Sequence, residues 1–141
     1  MGLDPAGIER LMDEHFPQAR ELGWEIVSVG DHAARLRLPI REAHLRPGPS
    51  VSGPTLMALA DTAMYFALLG AIGPTLLAMT TSLNVNFMRG CAGGVLVADA
   101  RLLKLGKRLA VGEVGIRAEG APDLVAHATL TYSVPPSRRG E

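Results

Sequence analysis

A stretch of 42 residues, 47–88, contains a single charged side chain, that of Asp61, and no histidine. A segment this apolar has to leave water, either in a lipid bilayer or in a protein core. A membrane-spanning helix needs about 20 consecutive apolar residues. Here Gly73 and Pro74 interrupt the helical pattern, and polar residues then alternate along 80–86 as they do in a strand. The sequence therefore predicts a buried core element and no membrane partner.

The first half of this stretch predicts a long helix over 55–72. The segment is apolar nearly all round, and a helix without a polar face is enclosed by protein on every side. Ser52 suits the N-cap, Pro54 suits the first turn, and Gly73 suits the end. Three prolines and two glycines fall within 46–54, which predicts irregular structure before the helix.

The rest of the chain predicts a sheet. Residues 4–22 have the spacing of an amphipathic helix that ends at Pro17. Short turns separate six strand-like runs, two before the long helix and four after it: 24–29, 33–38, 78–88, 95–105, 108–119 and 124–134. Because short turns favour antiparallel neighbours, we expect the last four strands to form a meander.

The fold class is therefore α+β, with one antiparallel sheet curled around a long buried central helix. A second subunit is expected to cover what the sheet leaves open, which predicts an oligomer. We expect an N-terminal helical segment at 1–22, a single domain at 23–135 and a disordered tail at 136–141.

The composition excludes several classes of function. Lys plus Arg equals Asp plus Glu at 14 each, so overall charge does not hold the chain on nucleic acid. The lone Cys91 cannot form an internal disulfide, and the four histidines lack metal-ligand spacing. The first 20 residues have no apolar run of the signal-peptide type. These features predict a cytoplasmic protein that binds neither a metal nor nucleic acid.

Asp61 is the most informative residue of the chain. Side chains three and four positions away are its helical neighbours, and they are apolar or aromatic: Met57, Ala58, Met64 and Tyr65. An unpaired buried carboxylate costs on the order of several kcal/mol, so Asp61 needs either a partner or a function. The structural alternative is that Asp61 caps a backbone group or pairs with Arg46 or Arg89.

Two further features flank the helix. Gly53 stands at its start, where free N–H groups can bind a phosphate or the oxygen of a polarised thioester carbonyl. The alternative is ordinary capping by Ser52. After the helix, polar residues follow one face of a predicted strand: Thr80, Ser82, Asn84 and Asn86. The Thr80 hydroxyl could orient water or substrate; the alternative is a polar seam between this strand and a second subunit.

Residues 52–63, SGPTLMALADTA, resemble the "HGG…LADTA" helix signature of hotdog-fold acyl-CoA thioesterases. The likeness is to the phenylacetyl-CoA thioesterase-like (PaaI-type) branch of the 4-hydroxybenzoyl-CoA thioesterase superfamily. It continues through three strand segments, 83–89, 98–108 and 124–132, and covers about residues 20–134. The resemblance implies the hotdog fold, in which an antiparallel sheet wraps round a long helix.

The resemblance also implies roles for three residues. Asp61 falls on the helix aspartate, which acts as general base or nucleophile on the thioester. Gly53 falls on the glycine whose N–H polarises the thioester carbonyl, and Thr80 falls on the hydroxyl residue that helps to place the water. Ser52 stands where the signature has histidine. Pro54, where it has a second glycine, offers no N–H.

The expected activity is hydrolysis of acyl-CoA, without a cofactor, by a dimer or a dimer of dimers. Coenzyme A is expected in a groove between subunits, with its phosphates near three basic residues: Arg89, Lys107 and Arg108. The acyl group is expected beside Met57, Met64 and Tyr65. Ser52 and Pro54 complete the predicted substrate-binding set.

Two alternative functions stay open. One is a non-catalytic hotdog protein that binds acyl-CoA or another acyl ligand. The other is a hydratase or dehydratase of the same fold, which requires a histidine paired with an acid. No histidine lies near Asp61 in the sequence, which counts against the second alternative.

Overall fold

The computed structural model describes residues 2–136 of the chain. Its elements are, in order, α1 Pro5–His15, β1 Glu25–Gly30, β2 Ala33–Pro39, β3 Leu45–Arg46, β4 Ser50–Val51, α2 Gly53–Ile72, β5 Met79–Phe87, β6 Val95–Leu105, β7 Leu109–Ala118 and β8 Leu124–Ser133. Two 3₁₀ helices, Pro17–Leu22 and Glu42–His44, lie in connections. The predicted α+β architecture is confirmed. Residues 137–141 of the predicted tail lie outside the described residues.

Six strands form one antiparallel sheet in the order β1-β2-β6-β7-β8-β5. The predicted meander is confirmed for β6, β7 and β8 but is wrong for β5, which pairs with β8 instead of β6. From β5 to β6 the chain crosses three strand spacings, roughly 14 Å. Seven residues of connection can span up to about 23 Å, so a short connection does not require adjacent strands. As a result, β5 has one neighbour and presents a free edge.

The helix α2 supplies the centre of the core. Ten of its residues are buried, and it packs mainly against β2, β6 and β7: Thr55, Leu56, Leu59, Ala60, Ala63, Met64, Phe66, Ala67, Leu68 and Leu69. Its length and mean hydropathy of 1.6 would suffice to cross a membrane, but half of it is buried inside the fold.

One side of α2 stays open to solvent. This open stripe consists of exposed and partly exposed residues: Pro54, Met57, Ala58, Asp61, Thr62 and Tyr65. The sheet therefore encloses most of the helix, as predicted, but six strands do not close around it. The side chain of Asp61 belongs to the uncovered part.

Local capping sets both ends of α2. The Ser52 hydroxyl accepts a hydrogen bond from the Thr55 N–H at 3.3 Å, as an N-cap does. Gly73 ends the helix with a φ of 92°, a conformation that glycine adopts without steric cost. The sequence predictions for these two positions are confirmed.

The segment before α2 differs from its prediction. Irregular structure was expected over 46–54, whereas β3 and β4 pair as a short hairpin. Gly48, with a φ of 105°, lies between two prolines at the turn. A positive φ at this glycine lets the chain reverse tightly enough for the flanking residues to pair.

The helix α1 begins at a cap and ends before a proline. The Asp4 carboxylate accepts a hydrogen bond from the Gly7 N–H at 2.8 Å, and Pro17 lies two residues after the helix. Its buried side chains, Ile8 and Met12, join the core of the sheet and α2. The first segment of the chain is thereby fixed against the rest of the fold.

The packing of β7 on α2 depends on a glycine. A Cβ at Gly112 would lie 2.9 Å from the Arg101 carbonyl oxygen and would clash with the Met64 sulfur. We expect Gly112→Ala to lower the free energy of unfolding by about 1–3 kcal/mol through overpacking. Urea denaturation measures this change. Gly93→Ala is the control, because a Cβ there has no neighbour within 4 Å, and equal stability of both variants would contradict the packing.

Candidate active site

Two hydroxyl groups hold the carboxylate of Asp61. Thr80 Oγ1 donates to Asp61 Oδ1 at 2.6 Å, and the Tyr132 hydroxyl donates to the same oxygen at 2.7 Å. Within residues 2–136 of one chain Asp61 forms no ion pair, and a pairing with Arg46 or Arg89 across an interface stays a prediction. Hydrogen bonds to a charged acceptor are about twice as strong as neutral ones, which compensates for the partial burial of the carboxylate.

Thr80 reaches Asp61 because of an irregularity in β5. The sequence pattern put Thr80 on one face with Ser82, and this prediction is wrong. Thr80 pairs with Tyr132, whereas Ser82 pairs with Thr131, so the register shifts between them. One extra residue moves the following side chains to the opposite face. The bulge thus turns Thr80 towards α2 while Ser82 stays exposed.

Tyr132 is the site residue that the sequence analysis missed. It occupies an inward position of β8, in line with Leu130 and Val134, and only 3% of it is exposed. A buried tyrosine hydroxyl needs a hydrogen-bond partner, and that requirement was the available signal. Burial raises the pKa of the Tyr132 phenol above its ordinary value of 10.0, and the Asp61 carboxylate raises it further. The phenol therefore keeps its proton and remains a donor to Asp61.

Tyr65 supports Tyr132 from the side. The two rings stack with centroids 6.1 Å apart and an angle of 9° between planes. The Tyr65 hydroxyl donates to the Thr75 carbonyl oxygen at 2.6 Å, and burial raises its pKa as well. This arrangement fixes the orientation of Tyr132 and therefore that of the Asp61 carboxylate.

The two oxygens of Asp61 differ in what they contact. Both hydroxyl donors bind Oδ1, and no described residue donates to Oδ2. An anchored carboxylate with one oxygen available can accept a proton from water or attack an electrophilic carbon. The geometry suits a general base or a nucleophile.

Asp61, Thr80 and Tyr132 line a cavity of about 470 Å³. The other lining residues come from α1, the following 3₁₀ helix, α2, the start of β5 and the connections between these elements: Met12, His15, Phe16, Ala19, Thr62, Tyr65, Phe66, Leu76, Ala78 and Met79. Most of this lining is apolar. The sequence offered no sign that the N-terminal helix would reach Asp61, because that contact depends on how α1 packs.

His15 is the one histidine in this cavity. Its imidazole is about half exposed and lies 3.9 Å from Glu14. Among the described residues it does not hydrogen-bond to Asp61. The histidine–acid pair that hydration chemistry requires is therefore not formed at this carboxylate.

A larger concavity of about 680 Å³ lies on the outer face of the sheet. Several of its charged groups pair with one another, and among them Arg101 and His127 bind Glu113 at 2.8 and 3.0 Å. Arg101, followed by His127, holds the pKa of the Glu113 carboxyl below its usual range. Within residues 2–136 no three His, Cys, Asp or Glu side chains come together as a metal site. The carboxylate that is anchored by two hydroxyl groups in a mostly apolar surrounding lies instead in the smaller cavity.

Gly53 does not meet Asp61 within one chain. It opens α2, eight residues before Asp61, which at a rise of about 1.5 Å per residue separates them by about 12 Å. Gly53 lies beside Phe87, since a Cβ there would be 3.5 Å from the ring, and both line a concavity with Arg89. Because the Ser52 hydroxyl caps Thr55, the Gly53 N–H is left for another acceptor.

The three basic residues predicted to bind phosphates lie at two ends of the sheet. Lys107 and Arg108 precede β7, close to the end of β8 that carries Tyr132, because Ala110 pairs with Tyr132. Arg89 follows β5 at the opposite end. The nine residues of β5 separate the two ends by about 26 Å.

The residues predicted to contact the acyl group also lie in different parts of the structure. Tyr65 lines the cavity of Asp61. Met64 is fully buried and points at Gly112 in β7, whereas Met57 lies on the open stripe, and neither belongs to the cavity lining. Pro54 is exposed in the first turn of α2, next to Gly53.

Comparison with known proteins adds a family match. The model of the Thioesterase superfamily matches residues 48–125, just over half of the chain and including Gly53, Asp61 and Thr80. The chain is 30% identical to the acyl-coenzyme A thioesterase PaaI of Escherichia coli over 106 residues, 74% of each protein. It is 33% identical to a candidate esterase of Halobacterium salinarum over 100 residues, 67% of this chain and 66% of that protein.

Solved structures show the same fold. A crystal structure of a candidate thioesterase from Silicibacter sp. TM1040 is 41% identical, with a TM-score of 0.85, and the match covers 95% of this chain and 93% of that one. The hotdog fold expected from the sequence resemblance is confirmed.

Both tyrosines of the chain lie at this site, and the pKa of each is raised above 10.0, by burial first. We expect little phenolate absorbance at 295 nm when the native protein is titrated through pH 10, and both phenolates once urea unfolds it. Since the unfolded state releases these protons first, the free energy of unfolding should fall as pH rises above about 10. Normal titration of both tyrosines in the folded protein would contradict their burial.

Proposed function

The chain belongs to the Thioesterase superfamily, and from that premise we propose that it hydrolyses acyl-CoA thioesters at Asp61. The resemblance to PaaI-like hotdog thioesterases is confirmed, and the chain is a thioester hydrolase. The observation that supports Asp61 is its carboxylate in a mostly apolar cavity, anchored through Oδ1 by two hydroxyl groups with Oδ2 available. The products are a free acid and coenzyme A.

Two routes use the same oxygen. As a general base, Asp61 Oδ2 takes a proton from water, the resulting hydroxide adds to the thioester carbonyl, and the C–S bond breaks as the thiolate leaves and is protonated. As a nucleophile, Oδ2 adds to the carbonyl carbon, the thiolate leaves, and water hydrolyses the acyl–aspartyl anhydride. In both routes negative charge develops on the carbonyl oxygen, which calls for a donor such as a backbone N–H.

Within one chain Gly53 does not supply such a donor to Asp61, because it lies about 12 Å away along the helix. We propose that a second copy supplies it across the free edge of β5. A long exposed strand edge carries unpaired N–H and C=O groups that favour pairing with another strand. The other sheet edge, β1, is shorter, with six residues against the nine of β5.

Two-fold pairing of β5 would complete the site. With the axis at Leu83, antiparallel strands bring the Met79 end of one copy to the Phe87 end of the other. Thr80 and Asp61 lie near the first end, and Gly53 lies beside Phe87. The Gly53 N–H of the second copy thus moves towards the Asp61 of the first. The open stripe of α2, which carries Asp61, faces this seam.

The same pairing gathers the basic residues. Arg89 of the second copy comes to the end of the sheet where Lys107 and Arg108 of the first copy lie. We propose that these three residues bind the phosphates of coenzyme A in the groove between subunits. The acyl group then enters the cavity beside Tyr65.

The separation of Gly53 from Asp61 also favours a second candidate function for a chain that stays monomeric. Such a chain would hold acyl-CoA in the cavity without the donor that stabilises the charged intermediate. It would be a binding protein, and acyl-CoA would raise its melting temperature without releasing thiol.

Replacing the carboxylate tests the catalytic role. We expect Asp61→Asn to lower kcat for acyl-CoA hydrolysis by at least about 100-fold, because an amide can neither accept the water proton nor attack the carbonyl. Release of free thiol from a panel of acyl-CoAs measures the rate. Asp31→Asn is the matched control, since Asp31 lies in the β1–β2 turn with a φ of 55° that asparagine tolerates. An Asp61→Asn protein as active as wild type would refute the role.

Charge on the β5 edge tests the shared site. About Leu83, Ser82 of one copy lies opposite Asn84 of the other, so Ser82→Lys with Asn84→Lys sets lysines against each other. We expect this double variant to be monomeric by light scattering and to lose hydrolysis, although Asp61 and Thr80 are unchanged.

The control for this test carries two lysines on the other edge strand, Val27→Lys with Ser28→Lys. We expect this control to have the oligomeric mass and the rate of acyl-CoA hydrolysis of the wild type. A β5 variant that remains dimeric and active, or a wild-type monomer with full activity, would contradict the pairing.

A further inference from the structure

Phe16 is a large apolar side chain that the fold leaves 44% exposed. It contributes to the cavity of Asp61 but does not belong to the hydrophobic core. Two other large apolar residues of the same lining are equally uncovered, Leu76 at 50% and Met79 at 64%. Exposed apolar side chains gathered at one cavity indicate a surface that an apolar ligand covers.

The backbone holds Phe16 in this position. Its N–H donates to the Met12 carbonyl at 2.8 Å, and its own carbonyl accepts from the Ala19 N–H at 3.0 Å. Pro17 follows directly and starts the 3₁₀ helix. Phe16 therefore lies at a hydrogen-bonded junction between two helices, and its exposure is a property of the packed fold.

The charge in the cavity limits what can bind there. Its described lining contains the Asp61 carboxylate but neither lysine nor arginine. A second carboxylate on the ligand would meet Asp61 and find no lysine or arginine in the described lining to pair with, which disfavours binding in an apolar surrounding. The cavity therefore suits an uncharged, apolar group.

We propose that Phe16, with Leu76 and Met79, forms the wall that selects apolar acyl groups, so that the N-terminal helix sets the acyl specificity of the enzyme. This inference rests on the proposed function. It assigns to α1 a role in substrate choice that its sequence, an amphipathic helix packed on the fold, does not reveal. Phe16 touches the acyl group and takes no part in the proton transfer at Asp61.

The test is a series of straight-chain acyl-CoAs with wild type, Phe16→Ala, Phe16→Leu and, as control, Leu103→Ala. Leu103 is similarly exposed, at 53%, but lies outside the cavity. In wild type we expect kcat/KM to rise about fourfold for each methylene that becomes buried. Phe16→Ala should lower kcat/KM for octanoyl-CoA about tenfold, mainly through KM, and leave acetyl-CoA unchanged.

The remaining variants separate specificity from folding. Phe16→Leu should restore part of the loss, and Leu103→Ala should follow the wild-type series. A matched pair, butyryl-CoA and succinyl-CoA, tests the charge argument, and we expect at least tenfold lower kcat/KM for the succinyl ester. Equal loss at every chain length in Phe16→Ala, or equal rates for the matched pair, would overturn the proposal while the thioesterase function stands.

A binding measurement covers the case in which the proposed function fails. Trp24 is the single tryptophan, its ring contacts Phe66 at 4.9 Å between centroids, and its Nε1 donates to the Ala19 carbonyl at 2.8 Å. Phe66 and Ala19 both line the cavity, so Trp24 fluorescence reports on its occupant. Suppose that wild type releases no thiol and still binds acyl-CoA more tightly as the acyl chain lengthens. If this binding weakens in Phe16→Ala, the role of Phe16 in contacting the acyl group is still supported. Binding unaffected by Phe16→Ala overturns it.

Discussion

The structure depends on how one carboxylate is accommodated in a helix that the fold otherwise buries. Partial desolvation disfavours the charge of Asp61, and two hydroxyl groups offset that cost by donating to Oδ1. Both hydroxyls come from neighbouring strands, β5 and β8, so the sheet and the helix are joined at this carboxylate. The same bonds orient Asp61 and leave Oδ2 available. In our proposal, the bonds that stabilise this charge also prepare it for reaction.

A second constraint is the width of the sheet. Six strands curl round α2 without closing, which leaves the open stripe of the helix and the free edge of β5 on the same side. Gly53 and Asp61 are both on α2 at that side, about 12 Å apart along the helix axis. The uncovered apolar surface, the unpaired strand edge and the separation of Gly53 from Asp61 thus have one geometric cause. In our proposal, two-fold pairing of β5 covers the apolar surface, pairs the free strand edge and brings Gly53 of one copy towards Asp61 of the other.

The N-terminal helix α1 and the residue after it contribute a part of the cavity lining that the sheet does not provide. The inner face of the helix, with Ile8 and Met12, packs into the core, while its last turn brings His15 and Phe16 to the cavity of Asp61. One short element therefore stabilises the fold and shapes the ligand pocket. Since Phe16 lies outside the core, its side chain can vary in size with little effect on packing. In our proposal, substrate range can therefore change at this position without a change in the chemistry at Asp61.

The sequence by itself determined the parts of this protein that have a local physical cause. The bounds of α2 follow from its cap at Ser52 and its stop at Gly73, and the lone charge in an apolar stretch singled out Asp61. The tertiary structure decided what surrounds that charge. A bulge turned Thr80 inward, β8 brought Tyr132 from 71 residues away, and the packing of α1 placed His15 and Phe16 at the cavity. Periodicity describes only which face a residue occupies within its own element, whereas these contacts depend on how elements meet.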